Sequence, residues 1–215
     1  MSFSSIGVVG SGPLGCAIAI AIARTEVSVL LVRAMRGDAA LAARRIESRL
    51  RYFLDAGEIT EDELERAREG IRIVDDLALL APCDLVIESV PGDDLARRAV
   101  LATLESRLSP GAVLASNSAP EDLSAIAEVL RRRDQFVGLR FFASPLSERA
   151  GARTSLPSAS VVELSLLVET APGVAAACKA FARSLGTTTI EHSTGVAHVG
   201  YREFLSGEAA ASSSA

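Results

Sequence analysis

Short, uninterrupted aliphatic runs alternate along the chain with longer segments whose apolar positions recur every three or four residues. Residues 6–9, 27–32, 71–74, 85–88, 112–115 and 136–139 are the short runs, rich in Val, Ile and Leu, as expected of strands covered on both faces. A small-residue helical segment occupies 16–24. Residues 39–56 predict an amphipathic helix with Leu41, Ile46, Leu50 and Phe53 opposed to Arg44, Arg45, Glu47, Arg49 and Arg51. Gly57 ends that helix, and Thr60 with Glu63 three residues later forms a capping box that opens a second one, which stops at Gly70. Further helices are predicted at 76–80, 94–108, 123–132 and 174–185, and further strands at 161–168 and 187–190. The alternation implies an α/β fold: a doubly wound, mostly parallel sheet with helices on both faces and a helical hairpin inserted after the second strand.

The first strand runs into Gly10-Ser11-Gly12-Pro13-Leu14-Gly15 and then into a helix, so the glycines stand where a Rossmann-like fold takes up a dinucleotide. A tight turn, a close approach of backbone to pyrophosphate and close helix packing each demand a missing Cβ, and the helix start adds N–H donors. Residues 1–192 are read as this dinucleotide-binding domain. Residues 193–215 are read as a tail whose AAASSSA end is disordered. At the end of the second strand, where an acid would select NAD by bonding the ribose hydroxyls, stands Arg33. With Arg36 it would clasp a 2′-phosphate and favour NADP over NAD; alternatively it meets only water.

Composition narrows the field. A net charge of -5 over 215 residues is the wrong sign for a nucleic-acid binder. The longest apolar run, 14–23, falls short of the roughly 20 residues that cross a bilayer, and the N-terminus lacks the basic segment of a secretory signal, so a cytoplasmic protein is expected. Cys16, Cys83 and Cys178 lack metal spacing and read as reduced core filler. His192 and His198, six apart, lack the further ligands a metal site requires, so no metal is expected. Arg131, Arg132 and Arg133 read as a helix end whose dipole they complement.

The stretches VVGSGPLG, AGEITEDELERAREGI, DLVIESV, AVLASNSA and QFVGLRFF follow one another as they do in the NAD-binding domain of the 3-hydroxyacyl-CoA dehydrogenases, which the chain resembles over about 5–192. The resemblance implies a cofactor lying across the carboxyl ends of the strands beside a 3-hydroxyacyl thioester. It also implies a catalytic His, a Glu that orients it, and a Ser and an Asn that hold the substrate oxygen. Here the His position is Arg140, and a guanidinium, with pKa above about 12, is no base. The Ser position is Ala119, although Ser116, Asn117 and Ser118 precede it, and the later Asn motifs are altered at 143–145 and 192–196. Glu163 matches the orienting Glu. Arg140 then either pairs with Glu163 or holds an anionic group. Glu88 fits a strand end near the nicotinamide ribose or a structural hydrogen-bonding role. Gly92 and Arg97 replace two further cofactor contacts, a Glu and a Lys.

The insertion SPLSERAGARTSLPSAS reads as a solvated loop, or as a substrate lid carrying Arg149 and Arg153. The residues after 190 are too few for the family's all-helical second domain. A homodimer, or docking to another chain, is therefore expected to cover the face it would cover. The resulting expectation is an NAD(P)-binding oxidoreductase homologue with lost or altered catalysis, using Glu163, Arg140, Asn117 and Ser118 near the reacting carbon. The alternative is a non-catalytic accessory protein that uses the same cleft for a nucleotide, an acyl thioester or a partner enzyme.

Overall fold

The computed structural model describes residues 2–33, 39–142 and 161–193. Their strands are β1 (Ser5–Val9), β2 (Ser28–Val32), β3 (Ile71–Val74), β4 (Leu85–Glu88), β5 (Val113–Ser116), β6 (Phe136–Phe142), β7 (Val161–Leu166) and β8 (Thr188–Ser193). Helices α1 (Pro13–Ala23), α2 (Ala39–Asp55), α3 (Glu61–Gly70), α4 (Asp94–Arg107), α5 (Pro120–Ile126) and α6 (Pro172–Ser184) lie between them. The eight strands form one sheet in the order β3-β2-β1-β4-β5-β6-β7-β8. The chain therefore builds outward from β1 in one direction and from β4 in the other. Such a reversal opens a crevice at the carboxyl ends of β1 and β4, the usual place for a ligand in an open α/β sheet.

Alternation along each buried strand sends its side chains to two cores. Ile6, Val8 and Leu31 face α1, α2, α3 and α6, and Val9, Val86 and Leu114 face α4 and α5. α1 is buried almost all round because the sheet covers one side and α2 the other, which explains its lack of a polar face. The hairpin presents Ile46, Leu50 and Phe53 from α2 and Leu64 and Ala67 from α3 to the same core. Its capping box is complete: the Thr60 hydroxyl accepts from the Glu63 N–H at 3.2 Å, and Glu63 Oε2 accepts from the Thr60 N–H at 2.8 Å.

Several expected elements differ in detail. β7 runs antiparallel to β6, and β8 is parallel to β7. β6 extends to Phe142 and β8 to Ser193, because each is held along its length by β7; the strand thus passes the expected boundary at 192. The segment at 76–80 is one 3-10 turn, Leu77–Leu80, opened by Asp76 Oδ1 accepting from the Ala78 N–H at 2.8 Å. The expected helix over 123–132 stops at Ile126, with a 3-10 turn at Ala127–Val129. The arginines beyond it do not cap α5. Arg132 instead donates to the Glu105 and Ser109 carbonyls at 2.6 and 2.7 Å, satisfying the end of α4, and the Arg131 and Arg132 N–H groups donate to the Glu105 carboxylate.

Candidate dinucleotide and substrate site

The glycine turn has the backbone that a diphosphate cradle requires. Gly10 has φ +118, and a Cβ there would stand 2.3 Å from the Ser89 carbonyl oxygen at the end of β4. A Cβ on Gly15 would stand 1.8 Å from the Gly10 carbonyl oxygen, so α1 can approach the turn only with glycine. Gly12, the N-cap of α1, faces open space: nothing lies within 4 Å of a Cβ built there. Pro13 starts the helix with no N–H to lose, and Leu14 and Gly15 follow in the first turn, where amide donors point out of the helix end. The Ser11 carbonyl turns the other way, accepting from Arg45 Nη1 at 3.0 Å and from the Cys16 thiol at 3.4 Å. An open turn at a helix start and a switch point, with room at the one glycine facing outward, fits a dinucleotide.

A cavity of about 220 Å³ lies between this turn and the end of β4, with Leu14, Glu88, Arg97 and Asn117 on its walls. Glu88 is buried, and both its oxygens are engaged: Oε1 accepts from the Val90 N–H and Oε2 from the Ser116 hydroxyl, each at 2.6 Å. Ser118 Oγ lies 2.8 Å from Ser116 Oγ and extends the chain. Glu88 therefore has the structural hydrogen-bonding role, tying β4 to β5, and it also borders the cavity. Arg97 lies on the cavity wall and pairs with Asp94 on its own helix at 3.2 Å. Asn117 anchors β5 to its neighbours, its N–H donating to the Glu88 carbonyl and its Oδ1 accepting from the Phe141 N–H at 2.9 Å.

Burial pushes the Glu88 carboxyl above its ordinary range, against the Ser116 and Val90 hydrogen bonds and the Arg97 charge, which favour ionisation. The folded protein then holds this proton to higher pH than the unfolded chain does, so stability falls as pH rises out of the carboxylate range. Glu88→Gln is expected to remove that part of the decline, measured as urea midpoints from acid to neutral pH. An unchanged slope would refute it.

Sheet register aligns further polar groups on the α4/α5 face. Glu88, Ser116, Gly138, Ser165 and His192 are successive partners across β4 to β8. One pleat closer to the carboxyl edge, Arg140 and Glu163 stand directly opposite each other. Arg140 Nη1 lies 3.7 Å from Glu163 Oε2, and His192 Nε2 lies 3.0 Å from Glu163 Oε1. Glu163 is 1% exposed, whereas Arg140 is 36% exposed and reaches toward solvent. The pairing of Arg140 with Glu163 is thus realised. The contact from His192, read from the sequence as a core or surface histidine, comes only from the register of β8 on β7.

Arg33 also has a partner. Its guanidinium engages both carboxylate oxygens of Asp75, the residue that follows β3. Arg36, the insertion with Arg149 and Arg153, the altered positions 143–145, and His198 lie outside the described residues. Among the described residues, no group of three His, Cys, Asp or Glu side chains is placed to hold a metal ion, and no helix is long and apolar enough to cross a membrane. A second cavity, of about 420 Å³, lies between α1 and α2 with Arg44, Arg45 and Arg49 on its walls.

Residues 5–194 match the family model described as 3-hydroxyacyl-CoA dehydrogenase, NAD binding domain. A 3-hydroxybutyryl-CoA dehydrogenase of Mycobacterium tuberculosis is 33% identical over 138 residues, covering 64% of this chain and 48% of the relative. A 3-hydroxyadipyl-CoA dehydrogenase of Escherichia coli is 29% identical over 142 residues, 66% of this chain and 30% of the relative. The chain thus spans about half or less of the length of these curated relatives. The crystal structure of M. tuberculosis FadB2 superposes with a TM-score of 0.79 at 29% identity, over 90% of this chain and 65% of that one. An (S)-3-hydroxybutyryl-CoA dehydrogenase from Ralstonia eutropha gives 0.82 at 24% identity, over 94% of this chain and 68% of that one, which speaks to the fold.

Proposed function

The chain belongs to the 3-hydroxyacyl-CoA dehydrogenase family by its NAD-binding domain, and from that premise we propose that it binds NAD and an acyl thioester at the β1/β4 crevice without the family's imidazole base. The observation that carries this reading is the glycine turn, whose Gly10 and Gly15 exclude any side chain while Gly12 opens outward. Gly12, Leu14 and Gly15 would hold the diphosphate on the start of α1, and Glu88 and Arg97 would border the ribose nearest the nicotinamide. A bound nicotinamide supplies the hydride acceptor or donor. The chain's own part is to place an oxygen and to move a proton. Asn117, which lines the cavity with its Oδ1 already bound to the Phe141 N–H, would offer its amide N–H groups to a substrate oxygen, and Arg140, in the position of the family's base, would supply a cation there only in part, since it pairs with Glu163. Glu163, paired with Arg140 and His192, would handle a proton only by giving up those contacts. The arginines between α1 and α2 suit the phosphates of a coenzyme A handle.

The second reading, a binding or accessory role without turnover, is favoured by one observation: the cation in the place of the base is committed to a buried carboxylate. Titration of NADH by fluorescence, followed by 3-hydroxybutyryl-CoA turnover, separates the two. Binding is expected, with turnover at least about 100-fold below that of an imidazole-bearing relative, the scale of a lost general base. Turnover at the relative's level would refute the loss of the base, and absence of NADH and NADPH binding would refute the cofactor site.

A further inference from the structure

An arginine and a carboxylate leave the carboxyl ends of two adjacent strands as a pair, at the corner where the dinucleotide reading puts the adenosine ribose. Arg33 occupies the position after β2 where an NAD-selecting acid is expected, and an acid is present one strand over. Val32 and Val74 are register partners of the parallel β2 and β3, and the Arg33 N–H donates to the Val74 carbonyl at 3.1 Å, so residues 33 and 75 leave the sheet side by side. From there the Arg33 guanidinium meets Asp75 fork to fork, Nε on Oδ1 and Nη2 on Oδ2. Arg33 is 15% exposed and Asp75 66% exposed, so the cation lies along the protein while the carboxylate stays in solvent.

We propose that Asp75 is a cofactor-specificity residue, which occupies the bidentate face of Arg33 and returns negative charge to the ribose corner, so that NAD is taken in preference to NADP. A 2′-phosphate needs the same two-pronged guanidinium face that Asp75 fills, and it would bring two negative charges beside a carboxylate. The ribose diol of NAD carries no such charge and can donate to a carboxylate. The hydrogen bonds from Arg33 hold the Asp75 carboxyl below its ordinary range, so this arrangement is charged throughout the neutral region. Asp75 acts here in two ways, by filling the face of Arg33 and by its own charge. The inference rests on the dinucleotide reading above.

The test is the ratio of dissociation constants for NADPH and NADH, read by cofactor fluorescence on the whole chain. The unaltered protein is expected to bind NADH more tightly. Asp75→Asn is expected to move the ratio toward NADPH by about tenfold or more, the scale of one additional hydrogen bond to a charged group. Asp75→Glu, which keeps the carboxylate, should keep the preference for NADH. In an Arg33→Ala background Asp75→Asn should move the ratio less than it does with Arg33 present, because no guanidinium face is released and only the direct effect of the carboxylate is removed; equal shifts in the two backgrounds would overturn the part assigned to Arg33. An Asp75→Asn ratio equal to that of the unaltered protein, with both cofactors still bound, overturns this inference alone. Failure of the unaltered protein to bind either cofactor overturns the dinucleotide reading and this inference with it.

Discussion

Gly15→Ala is expected to abolish measurable NADH binding and to lower thermal stability. The added methyl would stand 1.8 Å from the Gly10 carbonyl oxygen and 2.9 Å from its carbon, both backbone atoms that cannot rotate away. Gly10 is itself fixed, since its N–H donates to the Val32 carbonyl at 2.8 Å and its Cα lies against Ser89. Relief must come from α1 shifting off the turn, but that helix is buried between the sheet and α2. Overpacking of this kind costs about 1–3 kcal/mol or more, which for a chain of this size lowers the melting temperature by roughly 3–10 °C. Gly12→Ala is the matched comparison: its methyl meets no protein atom within 4 Å, and its φ of -67 suits alanine. That variant should melt with the unaltered protein yet bind NADH more weakly, because only a ligand occupies the space it fills. Equal NADH affinity in the Gly12 and unaltered proteins would show that the diphosphate lies elsewhere.

Glu163→Gln is expected to destabilise the fold by about 3 kcal/mol, the low end of the roughly 3–5 kcal/mol for removing one partner of a buried ion pair, because Arg140 reaches solvent. The carboxylate is 1% exposed, and it stands 3.7 Å from the Arg140 guanidinium and 3.0 Å from the His192 imidazole. An amide keeps the shape but withdraws the negative charge from a pocket that has only cationic or neutral faces among these neighbours. Glu47→Gln gives the contrast. Its salt bridges to Arg51 and Arg68 are at the surface, where exposed pairs contribute about 0–1 kcal/mol, so its effect should be several-fold smaller. Chemical denaturation of both variants measures the difference, and equal losses would mean that Glu163 is not the electrostatic anchor of β6, β7 and β8.

Much of this is readable along the chain because local rules generate it. The glycine turn, the Thr60–Glu63 capping box, the hairpin ending at Gly57 and Gly70, and the short apolar strands all depend on neighbours within a few residues, where spacing is information enough. So does the fold class, since strands alternating with helices admit few topologies. The candidate residues Asn117, Ser118, Arg140 and Glu163 stand in the sequence as well, but their connections do not. Tertiary structure alone joins Ser118 to Glu88 through Ser116, brings His192 onto Glu163, sets Arg132 on the end of α4 and gives Arg33 to Asp75. Each of these contacts links strands or helices far apart in the chain, and the register that decides it is fixed by packing of the whole sheet between its two cores. Periodicity tells which face of a strand a residue occupies; only the assembled sheet tells which residue of the next strand it meets.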